Sequence, residues 1–304
     1  MKYISIVLAV ILVAGFSSCN EDKIFEKEQY KTVFALVSDD GYNIFPRVHA
    51  LEEDESIGYV AASCGGTVAT EQDITVTMVE DRELFDHYNL MNFDMDEDRY
   101  ARLLSPDKYD IDNFTLQIPA GERSGKMKIR IRPEGLSPDS VYFISLKAKS
   151  FSGYEINPAK SDLLYRVLIK NRFATQESAT NYALRGIRDG VNTMGVKPMQ
   201  PLGKNTVRIM AGTEAYKADI ATLNQSAIIL EIDEDNHVHI SSYKNMVVTQ
   251  VDGDPNFPNI FKIEKDDYGR FFKNFLLRYD YKIGTVTYQM SEELRLEVKE
   301  NELK

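Results

Sequence analysis

From residue 31 onward the apolar positions of this chain recur with a period of two, in short runs of β-branched and aromatic residues separated by turn residues. That pattern predicts strands at 32–37, 42–45, 57–62, 74–79, 114–118, 126–131, 141–148 and 163–169, with one helical interruption near 81–91. Asp39-Asp40-Gly41 between the first two runs reads as a hairpin turn, because glycine accepts positive φ. The alternation stops over 171–178 and returns at 207–210, 226–232, 237–241, 246–251, 260–263, 271–281 and 285–289, with tight turns at 233–236 and 282–284. There is too little helical sequence to cover a single open sheet. The expectation is an all-β protein: an immunoglobulin-like β-sandwich over 31–171 and a β-barrel or curved sandwich over 172–304.

Ahead of the strands the pattern changes. Residues 4–13 are an almost unbroken apolar run behind Lys2, followed by Gly15, Ser17, Ser18 and Cys19, the order of regions in a secretory signal. The run falls short of the ~20 apolar residues that a bilayer span requires. Phe16-Ser17-Ser18-Cys19 resembles the lipobox of bacterial lipoproteins in a form common in the Bacteroidetes. The resemblance implies that residues 1–18 are a signal peptide, that Cys19 is lipidated after cleavage, and that its lipid holds the chain to the outer membrane. Asn20, Glu21 and Asp22 resemble the signal that sends such lipoproteins to the cell surface, and 19–30, charged and aperiodic, reads as a tether.

Composition adds exclusions. The 47 acidic and 36 basic residues give a net charge of −11, which repels nucleic-acid phosphates and argues against nucleic acid as a partner. With Cys19 lipidated, Cys64 has no partner for a disulfide, and its apolar setting reads as a buried, inert thiol. Stability must then come from core burial, for which 43% hydrophobic residues suffice in two domains of ordinary size.

Ile74 to Asp81, Leu84 to Asn89, Tyr100 to Tyr109, Ile118-Pro-Ala-Gly-Glu122 and Tyr142 to Leu146 resemble, in that order, the uncharacterised N-terminal domain of Bacteroidetes surface lipoproteins. The same domain precedes the catalytic barrel of some endoglycosidases that cleave N-linked glycans. Ser105-Pro106 departs from the family pattern, where proline more often follows the leucines directly. The second half, through Leu202 to Arg208, Tyr243, Pro258-Asn259, Phe275 to Tyr281, Tyr288 and Glu292-Glu293-Leu294, resembles the lipocalin-like domain found behind the first in those proteins. Together the resemblances imply a non-catalytic surface lipoprotein of a polysaccharide-utilisation (Sus-like) system, binding an oligosaccharide or polysaccharide beside a TonB-dependent importer. The alternative is a structural or assembly lipoprotein, a fimbrial subunit or importer accessory.

Candidate chemistry narrows to binding. No phosphate loop, nucleophile elbow or zinc helix is present, and no cofactor is expected. His237 and His239 share a strand face near Asp233 and Asp235, but without a third His or Cys nearby the set reads as a solvated hairpin end, and no metal site is assigned. Asp94, Asp96 and Asp98 begin like a calcium loop but meet Arg99 and Ser105 where glycine and glutamate are needed. Sugars stack their C–H faces on aromatic rings while their hydroxyls bond to Asn, Asp and Arg. Trp is absent, so turn-borne Tyr and Phe beside Asn or Asp are the candidate glycan contacts: Tyr243 with Asn245, Phe257 with Asn259, and Tyr268.

Overall fold

The computed structural model describes residues 32–303 except 40, 67 and 68. The expected signal peptide over 1–18, the expected lipidation at Cys19 and the expected 19–30 tether lie outside the described residues. The chain is all-β, a two-layer sandwich followed by a nearly closed barrel.

The first sheet runs, from edge to edge, β10 (Glu155–Ile156), β1 (Val33–Leu36), β3 (Ser56–Gly65), β8 (Ser124–Ile131), β7 (Thr115–Ile118), β4 (Ile74–Glu80), β9 (Tyr142–Phe151), β11 (Asp162–Lys170) and β2 (Ile44–Ala50), with the short β5 (Arg102–Leu103) on β9 and β6 (Tyr109–Asp110) on β8. It bends between β7 and β8, which share the one residue pair Gln117↔Lys126. Gly125 permits the bend, since a Cβ there would come within 1.8 Å of the Gln117 carbonyl oxygen. The two halves therefore face each other across a core of Phe34, Val60, Ile129, Val76, Leu146 and Tyr165. Cys64 is buried at the edge of this core, and burial pushes its thiol above the usual range.

The helical interruption forms as α1 (Glu83–Phe93), which covers the opposite face of β9 and β11 through Phe85, Phe143 and Leu164. The expected hairpin between the first two runs does not form. β1 pairs antiparallel with β3, while β2 pairs parallel with β11 in the other layer. The intervening turn is closed by Asp39, whose side chain accepts from Ile44 N at 2.8 Å. It redirects the chain from one layer to the other, so that β2 lies along β11 rather than beside β1.

The second sheet has the order β16 (Val238–Ser242), β15 (Ala227–Ile232), β14 (Thr206–Met210), β13 (Val191–Gly203), β12 (Thr180–Arg188), β20 (Val286–Val298), β19 (Phe271–Ile283) and β17 (Val247–Gln250), with β18 (Ile260–Lys265) also on β19. Val238 N to Asn259 O at 2.8 Å and Phe261 N to Asn236 O at 2.9 Å draw the far edges together. The interior is filled by Tyr182, Leu184, Val207, Ile209, Leu230, Phe275, Leu277 and Leu294. It also holds an ion pair, Lys197 with Glu292, 3% and 0% exposed, and the Glu292 carboxylate accepts a second bond from Tyr279 Oη at 2.7 Å. α2 (Ile220–Ser226), capped by Asp219, leads into β15.

Between the domains the chain is pinned. The Asn171 amide donates to the carbonyls of Gly203 and Thr206 and accepts from Phe173 N and Ala174 N. Arg208, 1% exposed, makes a two-pronged ion pair at 2.5 and 2.7 Å with Asp139 of the sandwich.

Candidate ligand groove

Strand alternation sends Tyr182 and Leu184 of β12 into the barrel and leaves Ala183, Arg185 and Ile187 on its outer face. By the same rule β13 presents Met194 and Val196 outward, β20 presents Glu293, Arg295 and Glu297, and β19 presents Phe272 and Leu276. The Asp189-Gly190 turn, with φ of +49° and +79°, joins β12 to β13 as the tight hairpin that matches strand twist.

The loop between β17 and β18 folds onto this face. Asp254 accepts from Asn256 N and Phe257 N at 2.9 and 3.1 Å, which turns the loop. Asn259, with φ of +57°, ties it down by donating to Val251 O at 2.8 Å and Asp252 Oδ1 at 3.1 Å and accepting from Arg278 N of β19 at 2.7 Å. The result is an open groove of about 910 Å³ whose walls include Arg185, Ile187, Met194, Phe257, Leu276 and Glu293. A second recess of about 360 Å³ adjoins it, sharing Ala183, Arg185 and Glu293 and extending to Arg270, Phe272, Arg295 and Glu297.

The recess is aromatic and charged. The Arg295 guanidinium lies 3.7 Å from the Phe272 ring centre and that of Arg270 lies 5.5 Å from it. Arg270 also bonds Asp266 at 2.7 Å. Lys262 at 2.6 Å, working against burial and aided by the Asn274 amide, holds the Glu264 carboxyl below its usual range. The groove thus combines an apolar platform, Phe257 with Leu276, Ile187 and Met194, and a polar edge of Arg185, Asn192, Asn256 and Glu293. That mixture suits a ligand with apolar C–H faces and many hydroxyls.

Of the five predicted contacts, the structure brings Phe257 into the groove. Asn259 is 2% exposed and its amide is fully engaged in holding the loop, so it positions Phe257 and is closed to a ligand. Tyr268 is 87% exposed at the tip of the β18–β19 turn, and Tyr243 and Asn245 lie near the opposite end of β19, where Val247 pairs with Lys282. A strand rises ~3.3 Å per residue, so these ends stand roughly 36 Å apart and form no common site. Tyr243 packs on Met210, Leu223 and Ala227, with the Arg208 guanidinium 4.8 Å from its ring centre. Asn245 donates its backbone N–H to Asn224 O. The rings of His237 and His239 both lean on Asp233, at 3.4 and 3.3 Å, and among the described residues no group of three or more His, Cys, Asp or Glu is arranged to hold a metal.

Nothing in the local pattern marks Arg185, Ile187, Met194 or Arg295 in the sequence beyond the nearby Asp189-Gly190, a strong hairpin mark.

Two domain-family models match the sequence, one described as an N-terminal domain over residues 27–155 and one described as a C-terminal domain over 161–295. Solved structures of similar fold include a protein of unknown function from Bacteroides ovatus, 14% identical with a TM-score of 0.65, covering 88% of this chain and 95% of that one. A multidomain protein of the same species is 14% identical with a TM-score of 0.62, covering 88% and 94%. An auxiliary nutrient-binding protein from Bacteroides thetaiotaomicron is 12% identical with a TM-score of 0.59, covering 85% and 92%. At these identities the likeness is one of fold. No curated protein matches the chain.

Proposed function

We propose, from the premise that the chain belongs to a two-domain family with its N-terminal domain at residues 27–155 and its C-terminal domain at 161–295, that it is a non-catalytic glycan-binding protein. The observation that carries this reading is the groove on the outer barrel face, where Phe257 and Leu276 offer a platform and Arg185, Asn192, Asn256 and Glu293 offer hydrogen-bonding edges. A nutrient-binding protein is among those that share the fold, which supports a binding role. The non-catalytic part of the reading rests on the sequence, which carries no nucleophile elbow, phosphate loop or zinc helix.

The lipobox-like Phe16-Ser17-Ser18-Cys19 supports placement at the outer membrane surface by a lipid on Cys19, where captured saccharide would be passed to a TonB-dependent importer. Labelling cells with radioactive palmitate, with Cys19→Ala as control, tests the anchor, and co-purification of a TonB-dependent importer tests the partner. Calorimetry against plant, yeast, mucin and N-linked glycans tests the binding. Wild-type protein is expected to bind one class, and Phe257→Ala to bind it about tenfold more weakly, ~1.4 kcal/mol. Silence across the panel, or a Phe257→Ala protein that binds as well as wild type, would overturn the assignment.

A further inference from the structure

The recess beside Phe272 holds two arginines without an ion-pair partner among the described residues, although Arg295 acts at longer range on the Glu264 carboxyl. Arg185 and Arg295 extend from neighbouring strands on the same outer face, since Ala183 pairs with Arg295 and Arg185 with Glu293. Both line the recess. A two-residue diagonal across paired strands leaves such side chains ~7–8 Å apart at the backbone, within joint reach of one small group. The carboxylates around them are engaged elsewhere. Glu293 accepts from Asn274 at 2.9 Å, Glu264 takes Lys262 and Asn274, and Glu297 lies 3.7 Å from Arg270. Among the described residues neither Arg185 nor Arg295 has a hydrogen-bond or ion-pair partner, although Arg295 stacks on Phe272 and its Nε is buried.

Two guanidinium groups without an ion-pair partner, side by side in one recess, match an anionic group.

We propose that this recess is a subsite for an acidic substituent of the bound glycan, a carboxylate or sulfate held between Arg185 and Arg295. This deepens the glycan-binding reading and rests on it. In a chain of net charge −11, a local site for anions requires such a concentrated pair.

The test is calorimetry of the intact two-domain protein with tetragalacturonate, its neutral methyl ester, a sulfated galactose tetrasaccharide lacking carboxylates, and neutral galactotetraose. One or both acidic sugars are expected to bind at least about tenfold more tightly than their neutral counterparts, the margin shrinking in 0.5 M salt. Which acidic sugar wins distinguishes carboxylate from sulfate. Arg295→Gln, at a residue of the recess that does not line the groove, should remove that margin and leave neutral binding unchanged, and Arg185→Gln, at a residue shared with the groove, should weaken acidic binding more than neutral binding. Neutral and acidic sugars bound alike, with Arg295→Gln silent, would overturn the acidic subsite while the glycan-binding reading stood. Inorganic sulfate binding as tightly as the sulfated sugar would also overturn it, making the recess a plain anion site. No saccharide bound at all would remove both readings.

Discussion

His49 sits in the sandwich core with Nε2 3.0 Å from Tyr165 Oη, and burial, seconded by Arg47, pulls its pKa down to about 4. In the unfolded chain the ring titrates near 6.5. The unfolded state therefore takes up the proton first, so this contribution to stability is complete above pH ~6.5 and falls by about 3 kcal/mol as pH drops towards 4. Urea midpoints at pH 7 and pH 4.5 are expected to fall further for wild type than for His49→Leu, and parallel losses would contradict the account. Glu292 presents the same physics in the barrel. Glu292→Gln leaves Lys197, whose pKa burial already lowers, without its counter-charge, at an expected cost of about 3–5 kcal/mol. Replacing both residues by methionine should recover most of that in a denaturant titration. Neither role was legible in the sequence, where an inward-facing charge looks like a surface one until its partner, 95 residues away, is placed.

The β12–β13 hairpin shows why an element can be missed. Met194, Gly195 and Val196 are all exposed, so their side chains carry no alternation, and Lys197 places a charge at an inward position. The period-two reading accordingly resumes at residue 207, although β13 begins at Val191. β20 was shortened for the same reason, because Glu292 interrupts its apolar face. The turn is the element's determinant. Gly190→Val, forced to keep φ near +79°, should cost about 1–2 kcal/mol by urea melting, whereas Asp189→Asn should be neutral because Asn tolerates positive φ. If both changes proved equal, the turn geometry would not be what holds the groove wall.

At the scale of the molecule, the joint between sandwich and barrel rests on Arg208. Its guanidinium is buried in the barrel face, with Asp139 supplied by the other domain and Gln200 by its own. Gln176 Nε2 adds a bond to Pro138 O at 2.9 Å. Domains joined this way should melt together. Asp139→Ala strands a buried charge and is expected to lower stability by about 3 kcal/mol. In calorimetry it should split one transition into two, the barrel melting first. A single transition shifted by less than ~1 °C would show that the pair is dispensable.

The all-β class and a two-part arrangement followed from sequence alone, because side-chain alternation and turn preference are local properties that no distant residue needs to supply. Partner choice was different. β1 joined β3 rather than β2, and Phe257, Arg185 and Arg295 met in a groove and its adjoining recess, through pairings and a loop path decided by burial between segments up to 112 positions apart. Local pattern sets which way each side chain faces along its strand. Only the closed core sets which faces become neighbours, and in this protein the ligand groove is made of such neighbours.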